Sequence, residues 1–260
     1  MSILLVTPDY RTLVDDNGNA IWLAMHAVDF DPFETDLMYV PLTSAPAEPA
    51  VAPPQEPMFA LRRSTEHIEN WAREIGARVA SIRTLSGDRF VARAVHLLHF
   101  RESHKFHPAS GEPLMHGGAQ ACAAAGTVFP RIDPAVIGIV ELNGQDKILL
   151  ARNTRRADYF SLIAGYAGPG ETLEHCFARE VLEETGRRIS DITYRGSQPW
   201  PISGSLMIAF HAFTEDEEPI QKADGELAEI RWVTRAQLHD IPLAAPGSIA
   251  RKLIDEWGRS

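Results

Sequence analysis

Three carboxylates crowd one short run of the chain: Glu180, Glu183 and Glu184 in Arg179-Glu180-Val181-Leu182-Glu183-Glu184. On a helix, side chains three and four positions apart are neighbours, so this spacing puts all three on one face. Like charges repel at that range, and stability alone would not gather them. They are tolerated when solvated or when a cation neutralises them. Carboxylate oxygens are hard donors that suit Mg²⁺ or Mn²⁺. The run therefore points to metal-assisted chemistry on an anionic substrate, with a solvated acidic face as the alternative. Arg179 lies four residues before Glu183 and can pair with it.

The elements that must position these groups can be read around them. Gly168-Pro169-Gly170 makes a tight loop, and Glu171 is expected to open a helix with an acidic first turn, which suits the helix dipole. The helix is expected over about 171–185, stopped by Gly186. Ala178, Val181 and Leu182 are expected on its core face. Upstream, AVIGIVEL, KILLAR and YFSLIAGY read as strands; downstream, SLMIAFHAF and EIRWVT do too, and SIARKLIDEWGR reads as a helix. Strands and helices thus alternate over 133–260, which is the pattern of an α/β domain.

The first part of the chain differs. Residues 1–40 read as β-rich, with the runs ILLV, AIWLAMHAV and DLMYVPL. Residues 41–57 hold six of the 18 prolines and are expected to be a long loop or linker. Ile68, Trp71, Ile75 and Val79 predict a helix across 64–84, with Ser64-Thr65-Glu66 as its cap, and a second is expected over 90–107. No internal repeat is visible.

At 260 residues, 45% apolar and 23% charged, the chain is a folded globular protein of roughly two domains. The formal charge of −10 argues against coating nucleic acid through the net field. No run approaches the ~20 apolar residues of a membrane helix. MSILLV lacks the features of a signal peptide, so a cytoplasmic location with reduced thiols is expected. Two cysteines, Cys122 and Cys176, exclude a disulfide scaffold and a four-cysteine zinc site.

The carboxylate helix carries a longer pattern: glycine, five residues, glutamate, seven residues, then Arg-Glu-x-x-Glu-Glu-x-Gly. Gly165, Glu171, Arg179, Glu180, Glu183, Glu184 and Gly186 fill its seven fixed positions over 22 residues. This resembles the signature of the Nudix hydrolases. Arg187 departs from it, since an aliphatic residue usually follows the last glycine; Ile189 is expected to take over that packing role. Ser197-Gln198-Pro199-Trp200-Pro201 resembles the SQPWPFP motif of the NADH pyrophosphatase branch, with Ile202 and Ser203 in place of Phe and Pro. Physically it reads as a rigid aromatic loop, with a structural turn around a buried Trp as the alternative. Phe129-Pro130-Arg131-Ile132-Asp133-Pro134, Glu226 and Pro246-Gly247-Ser248-Ile249-Ala250 also resemble that branch, so the likeness covers about 90–260.

The resemblance implies an α/β/α sandwich with a mixed sheet over 133–260. A smaller β-rich α+β domain over 1–95 precedes it. Between them, 96–132 resembles a zinc ribbon without its cysteines. His107 and Ser110 stand at the first cysteine pair, and only Cys122 survives of the second. His99, His104, His107, His116 and Cys122 fit no zinc spacing, and zinc is not expected.

The implied activity is divalent-metal-dependent hydrolysis of NADH or NAD⁺ to nicotinamide mononucleotide and AMP, extending to removal of an NAD cap from RNA. Glu180, Glu184 and Glu226 would hold Mg²⁺ or Mn²⁺. Glu183 would be the base, with Glu184 close behind, and Arg179 would orient the cluster. Glu171 would tie the loop to the helix or complete an outer metal shell. Phe129, Ala164, Gln198, Pro199, Trp200, Pro201, Ile202, Ser203, Gly204, Ser205 and Ala250 resemble substrate-contacting positions; Arg78 is a further candidate. Arg152, Arg155 and Arg156 are placed in a loop, meeting phosphate or, more simply, solvent. A homodimer is implied. The rival readings are a pyrophosphatase for ADP-ribose or another nucleoside diphosphate derivative, and a ligand sensor without catalysis.

Overall fold

A computed structural model describes residues 1–28, 38–40, 58–85, 87–117, 119–155 and 158–260. The proline-rich segment 41–57 and Arg156 lie outside them. The chain divides into two units: Met1–Ile132 with Trp200–Gly204, and Asp133–Pro199 with Ser205–Ser260.

The first unit begins with β1 (Ser2–Val6), β2 (Arg11–Val14), β3 (Leu23–Ala24), β4 (Met38–Val40) and β5 (Met58–Arg62). Helix α1 (Thr65–Ile75), β6 (Arg78–Ser81) and α2 (Arg89–Ser103) follow. A four-stranded sheet has the order β3-β1-β5-β4, and β2 pairs with β6 apart from it. Period-two alternation sends Leu4 and Val6 to one face of the sheet and Ile3 and Leu5 to the other. The first face packs on Val91, Val95 and Leu98 of α2, the second on Ile68 and Ala72 of α1.

Two helix boundaries differ from expectation. The helix expected to run to 84 ends at Ile75, because Gly76 takes the left-handed conformation at φ +69° and closes it. Val79 consequently sits on strand β6. The second helix is capped by the Asp88 carboxylate and ends at Ser103, crossing the 95/96 boundary expected from the sequence.

Beyond α2 lies a small three-stranded sheet, β7 (Met115–Gly117), β8 (Gln120–Ala123) and β9 (Gly126–Val128). Among the described residues, no three His, Cys, Asp or Glu side chains group as metal ligands. The polar groups of this region bond to one another. His107 Nδ1 accepts from the Ser110 N–H at 3.3 Å. One Glu112 oxygen accepts from the Ser110 hydroxyl at 3.1 Å and the Ala125 N–H at 3.0 Å, joining the two turns through a carboxylate.

The second unit holds β10 (Asp133–Leu142), β11 (Lys147–Asn153), β12 (Ile163–Tyr166), α3 (Leu173–Thr185), β13 (Ser190–Trp200), β14 (Ser205–Thr214), β15 (Leu227–Thr234) and α4 (Ile249–Arg259). The sheet order is β13-β14-β10-β11-β15, with β12 also paired to β10. β10 runs parallel to β14 over ten residues and antiparallel to β11 and β12, so the sheet is mixed. Both faces of β10 are buried. Val136 and Val140 pack with Phe177 and Val181 of α3, while Ile137 and Ile139 pack with Leu253, Ile254 and Trp257 of α4. A central strand covered on both sides reads as a continuous apolar run, as AVIGIVEL does. The expected α/β/α sandwich is the architecture found.

Gly138 lets α3 approach the sheet: a Cβ there would overlap the Phe177 ring and the Phe210 carbonyl oxygen. Overpacking a closed core typically costs about 1–3 kcal/mol. Gly138→Ala is expected to lower stability by that amount in urea unfolding; an unchanged midpoint would contradict the packing described.

Candidate active site

Strand β12 delivers the chain to a tight loop, Ala167–Thr172, from which α3 rises. Gly170 supplies the positive φ of +84° that the loop needs. The helix starts at Leu173 with Thr172 as its cap, whose hydroxyl accepts from the His175 N–H at 3.2 Å. Glu171 therefore lies before the helix and does not open it. Its carboxylate folds back to accept from the Gly168 N–H at 2.8 Å, bracing the loop.

Arg179 organises the acidic groups. Its Nε and Nη2 donate to the two oxygens of Glu171 at 2.6 and 2.9 Å. Its Nη1 donates to Glu180 at 2.8 Å and Glu183 at 3.0 Å, and Nη2 also reaches the Tyr166 carbonyl at 3.0 Å. One guanidinium thus serves three carboxylates and the end of β12. The bonds to Arg179 hold the Glu171 carboxyl down to about 2.

The glutamates do not share one solvated face. Glu183 is exposed, Glu180 is half-buried, and Glu184 is only 6% exposed, among the core residues of the helix. The core face is Cys176, Phe177 and Val181 together with Glu184 and Thr185, whereas Ala178 and Leu182 are half-buried. Glu184 lies three residues after Val181 and seven after Phe177, so helical geometry carries it inward with them. Burial raises its carboxyl to about 8, helped by repulsion from Glu180, Asp224, Glu226 and Glu183. Burial also raises Glu180, with Glu183 and Glu226 adding to it against Arg179.

Glu226 stands just before β15, close enough to press on both buried glutamates. Its carbonyl accepts from the Thr154 N–H and hydroxyl at 3.1 and 3.0 Å, and its N–H donates to Asp224 Oδ1 at 2.9 Å. Thr154 and Asp224 escaped the sequence reading. The Asp-Gly-Glu run at 224–226 carried a signal for Asp224, because Asp side chains accept from the backbone two residues on.

The donor set fits a hard divalent cation. Glu180, Glu184 and Glu226 offer carboxylate oxygens, and Glu226 lies close enough to raise the pKa of the other two. Gly165 makes room for Glu180, since a Cβ there would overlap its carboxylate. With Arg179 holding Glu180 and Glu183, these side chains do not stand in a ready ligating cluster.

The remaining expected site residues are scattered. Ala164 is half-buried on β12, and Ala250 is core, packed with Leu253 and Trp257. Gln198 spends its amide at the start of α4, donating to the Gly247 carbonyl at 2.9 Å and accepting from the Ile249 N–H at 2.8 Å. Ser205 is buried, with its hydroxyl 3.0 Å from the Tyr166 hydroxyl. Gln198, Pro199 and Trp200 extend strand β13, so the expected aromatic loop begins only at Pro201. Phe129, exposed, and Trp200, Pro201, Ile202, Ser203 and Gly204 group with the first unit.

Of the arginines singled out in the sequence, Arg152 and Arg78 are engaged elsewhere, while Arg155 lies in a turn as expected. Arg152 is on β11, paired with Glu229 of β15 at 2.8 Å. Arg155 follows in the turn after that strand. Arg78 donates to the carbonyls of Asp15 and Asp16, both at 2.9 Å, and so ties down a turn.

With this geometry in hand, the relatives of the chain are informative. The NUDIX domain model matches residues 132–256. The NAD-capped RNA hydrolase NudC of Mycobacterium bovis is 34% identical over 252 residues, covering 83% of this chain and 80% of that protein. The protein of the same description from Salmonella typhi is 36% identical over 208 residues, covering 77% and 76%. That from Deinococcus radiodurans is 39% identical over 170 residues, covering 63% and 60%. The chain belongs to the Nudix hydrolases and, within them, to the NADH pyrophosphatase branch that these NudC proteins represent. It is thus a hydrolase acting on pyrophosphate bonds.

The burial of Glu184 has a consequence in the metal-free protein. A carboxyl whose pKa rises on folding, here from 4.5 to about 8, stabilises the fold fully below its unfolded value. That contribution is lost as pH climbs through about 8. Glu184→Gln, neutral at every pH, is expected to raise the urea midpoint of chelator-treated protein at alkaline pH. The gain should vanish at about pH 4, where the wild-type carboxyl is protonated in both states. A midpoint difference independent of pH would contradict the burial described.

Proposed function

We propose that the chain hydrolyses the diphosphate bond of NADH and NAD⁺, giving nicotinamide mononucleotide and AMP, and that NAD-capped RNA is a substrate of the same site. The observation that carries this reading is the gathering of Glu180, Glu183 and Glu226 close about the buried Glu184, with Arg179 bonded to Glu180 and Glu183. The M. bovis and S. typhi relatives, described as NAD-capped RNA hydrolases, support the substrate class. The reading includes Mg²⁺ or Mn²⁺ as the metal, a homodimer, and a cytoplasmic location, which suits the free thiols of Cys122 and Cys176. No helix among the described residues is long and apolar enough to cross a membrane.

Hydrolysis adds one water across the P–O–P bridge. The water oxygen bonds to one phosphorus, the bridging oxygen leaves with the other, and a proton must be removed. Glu183 is an exposed carboxylate held by Arg179, and we assign it the proton. Glu184, which is buried, Glu180, which is half-buried, and Glu226, which is exposed, would hold the metal. When bound, the divalent ion supplies positive charge to the diphosphate oxygens and acidifies a water. Arg179 keeps Glu183 and Glu180 in place, and Glu171 keeps Arg179 in place through paired bonds.

Incubation with NADH and Mn²⁺ followed by separation of products tests this. The two mononucleotides are expected, with Glu183→Gln lowering kcat about 10²–10⁴-fold, as for loss of a general base. Removal of divalent ions by a chelator should abolish turnover. Intact NADH beside cleaved ADP-ribose would move the substrate assignment to the latter, and tight binding without turnover would make the chain a sensor.

The junction is read as metal-free, with Glu112 joining the turns where a ribbon would place zinc. Elemental analysis of purified protein is expected to find no stoichiometric zinc; about one zinc per chain would overturn the reading.

A further inference from the structure

Arg187, the one departure from the Nudix signature, has an unexpected environment. It is only 6% exposed. Its Nη1 donates to the Thr185 carbonyl at 2.8 Å, and its Nε and Nη2 donate to the Glu217 carbonyl at 3.2 and 2.8 Å. Its guanidinium lies over the Trp232 ring, 5.5 Å from the centroid, and Trp232 Nε1 donates to the same Glu217 carbonyl at 3.0 Å. Burial of a cation on neutral carbonyls is costly, and it lowers the pKa of the group. Ile189, expected to take over the aliphatic packing, is half-buried in the α3-side core. The core is therefore filled without Arg187.

What Arg187 holds is the segment between β14 and Glu226. An α-helix leaves its last carbonyls without intrahelical partners. In α3 this segment supplies them: Gln221 Nε2 donates to Leu182, the Asp224 N–H to Glu183, and the Ile220 N–H to Gly186. Arg187 closes the series by bridging Thr185 to Glu217. Gly186 permits the close approach, because a Cβ there would overlap the Gln221 carbonyl. The segment laced to the end of α3 continues through Asp224 into Glu226. One end of the lacing carries Glu180, Glu183 and Glu184; the other delivers Glu226.

We propose that Arg187 is a positioning residue that sets Glu226 against Glu180 and Glu184 for metal binding, by fastening the Glu217 carbonyl to the end of α3. This rests on the reading of those glutamates as metal ligands. It makes the signature's aliphatic residue an unfavourable replacement in this chain. Arg187→Leu should preserve the core yet weaken the metal site.

The test uses full-length protein and Mn²⁺ alone, with binding followed by calorimetry and the segment followed by amide hydrogen exchange. Arg187→Leu is expected to weaken Mn²⁺ binding about tenfold or more, the usual effect of losing an outer partner of a metal site. Exchange at residues 217–226 should accelerate. In NADH turnover, the Mn²⁺ concentration for half-activation should rise by the same factor, while kcat at saturating Mn²⁺ stays within about twofold. Arg187→Lys, which can still reach one carbonyl, should restore part of the affinity. Should Arg187→Leu not fold, Trp232→Phe removes one donor to Glu217 and keeps the ring; its Mn²⁺ affinity should fall in the same direction, by less. A folded Arg187→Leu, or in its absence Trp232→Phe, with wild-type Mn²⁺ affinity and wild-type exchange at 217–226 overturns the proposal. Wild-type protein that binds Mn²⁺ but cleaves no NADH overturns the substrate reading and leaves this one standing on its binding data. Wild-type protein that binds no Mn²⁺ overturns both.

Discussion

The second unit is arranged around a repulsion. Four glutamates and Asp224 form one acidic cluster, close enough to repel, and one of them, Glu184, is inside the core. Without a metal, charge in the cluster is held in check by Arg179 and by the raised pKa of Glu184. Arg179 can do this only because a planar guanidinium offers donors in several directions at once. It bonds to Glu171, Glu180, Glu183 and the Tyr166 carbonyl, so the loop, the helix and strand β12 share one cation. A lysine would offer a point charge and no fork.

The rest of the unit is arranged around that acidic cluster. The mixed sheet buries β10 on both faces and so provides a rigid platform. Gly138 lets α3 lie close on it, and Gly165 leaves the hollow that Glu180 occupies. Beyond the helix, the segment 217–224 satisfies the terminal carbonyls of α3 and delivers Glu226 from a distant part of the chain. The carboxylates thus sit on or beside regular elements, with the loops bonded to helix ends, an arrangement that resists displacement when charge is added nearby.

Several features were legible from residue types and spacing. An α/β domain followed from alternating strand and helix patterns, its α/β/α layering from the family resemblance, and the carboxylate helix from its glycine punctuation. Others were not. Glu184 was read as sharing one helical face with Glu180 and Glu183, yet its position relative to Phe177 and Val181 takes it into the core. Glu171 was read as the first helical residue, whereas the better cap, Thr172, starts the helix two residues later, at Leu173. Arg78 and Arg152 were read as candidates for substrate or phosphate, and both are engaged by partners distant in sequence. A long cation's partners depend on which strands become neighbours, and local pattern carries no such information.

By itself the sequence determined the chemistry: which donors are present, how they repeat along a helix, and which glycines must bend the chain. Those are properties of residue type and of helical period, and they need no distant partner. The tertiary structure alone decided which glutamate is buried, that Glu226, held by Thr154 and Asp224, comes close to Glu180 and Glu184, and that Arg187 is spent on carbonyls. Each of these depends on segments far apart in the chain being brought into contact, where burial and hydrogen bonding set the character of a charged group.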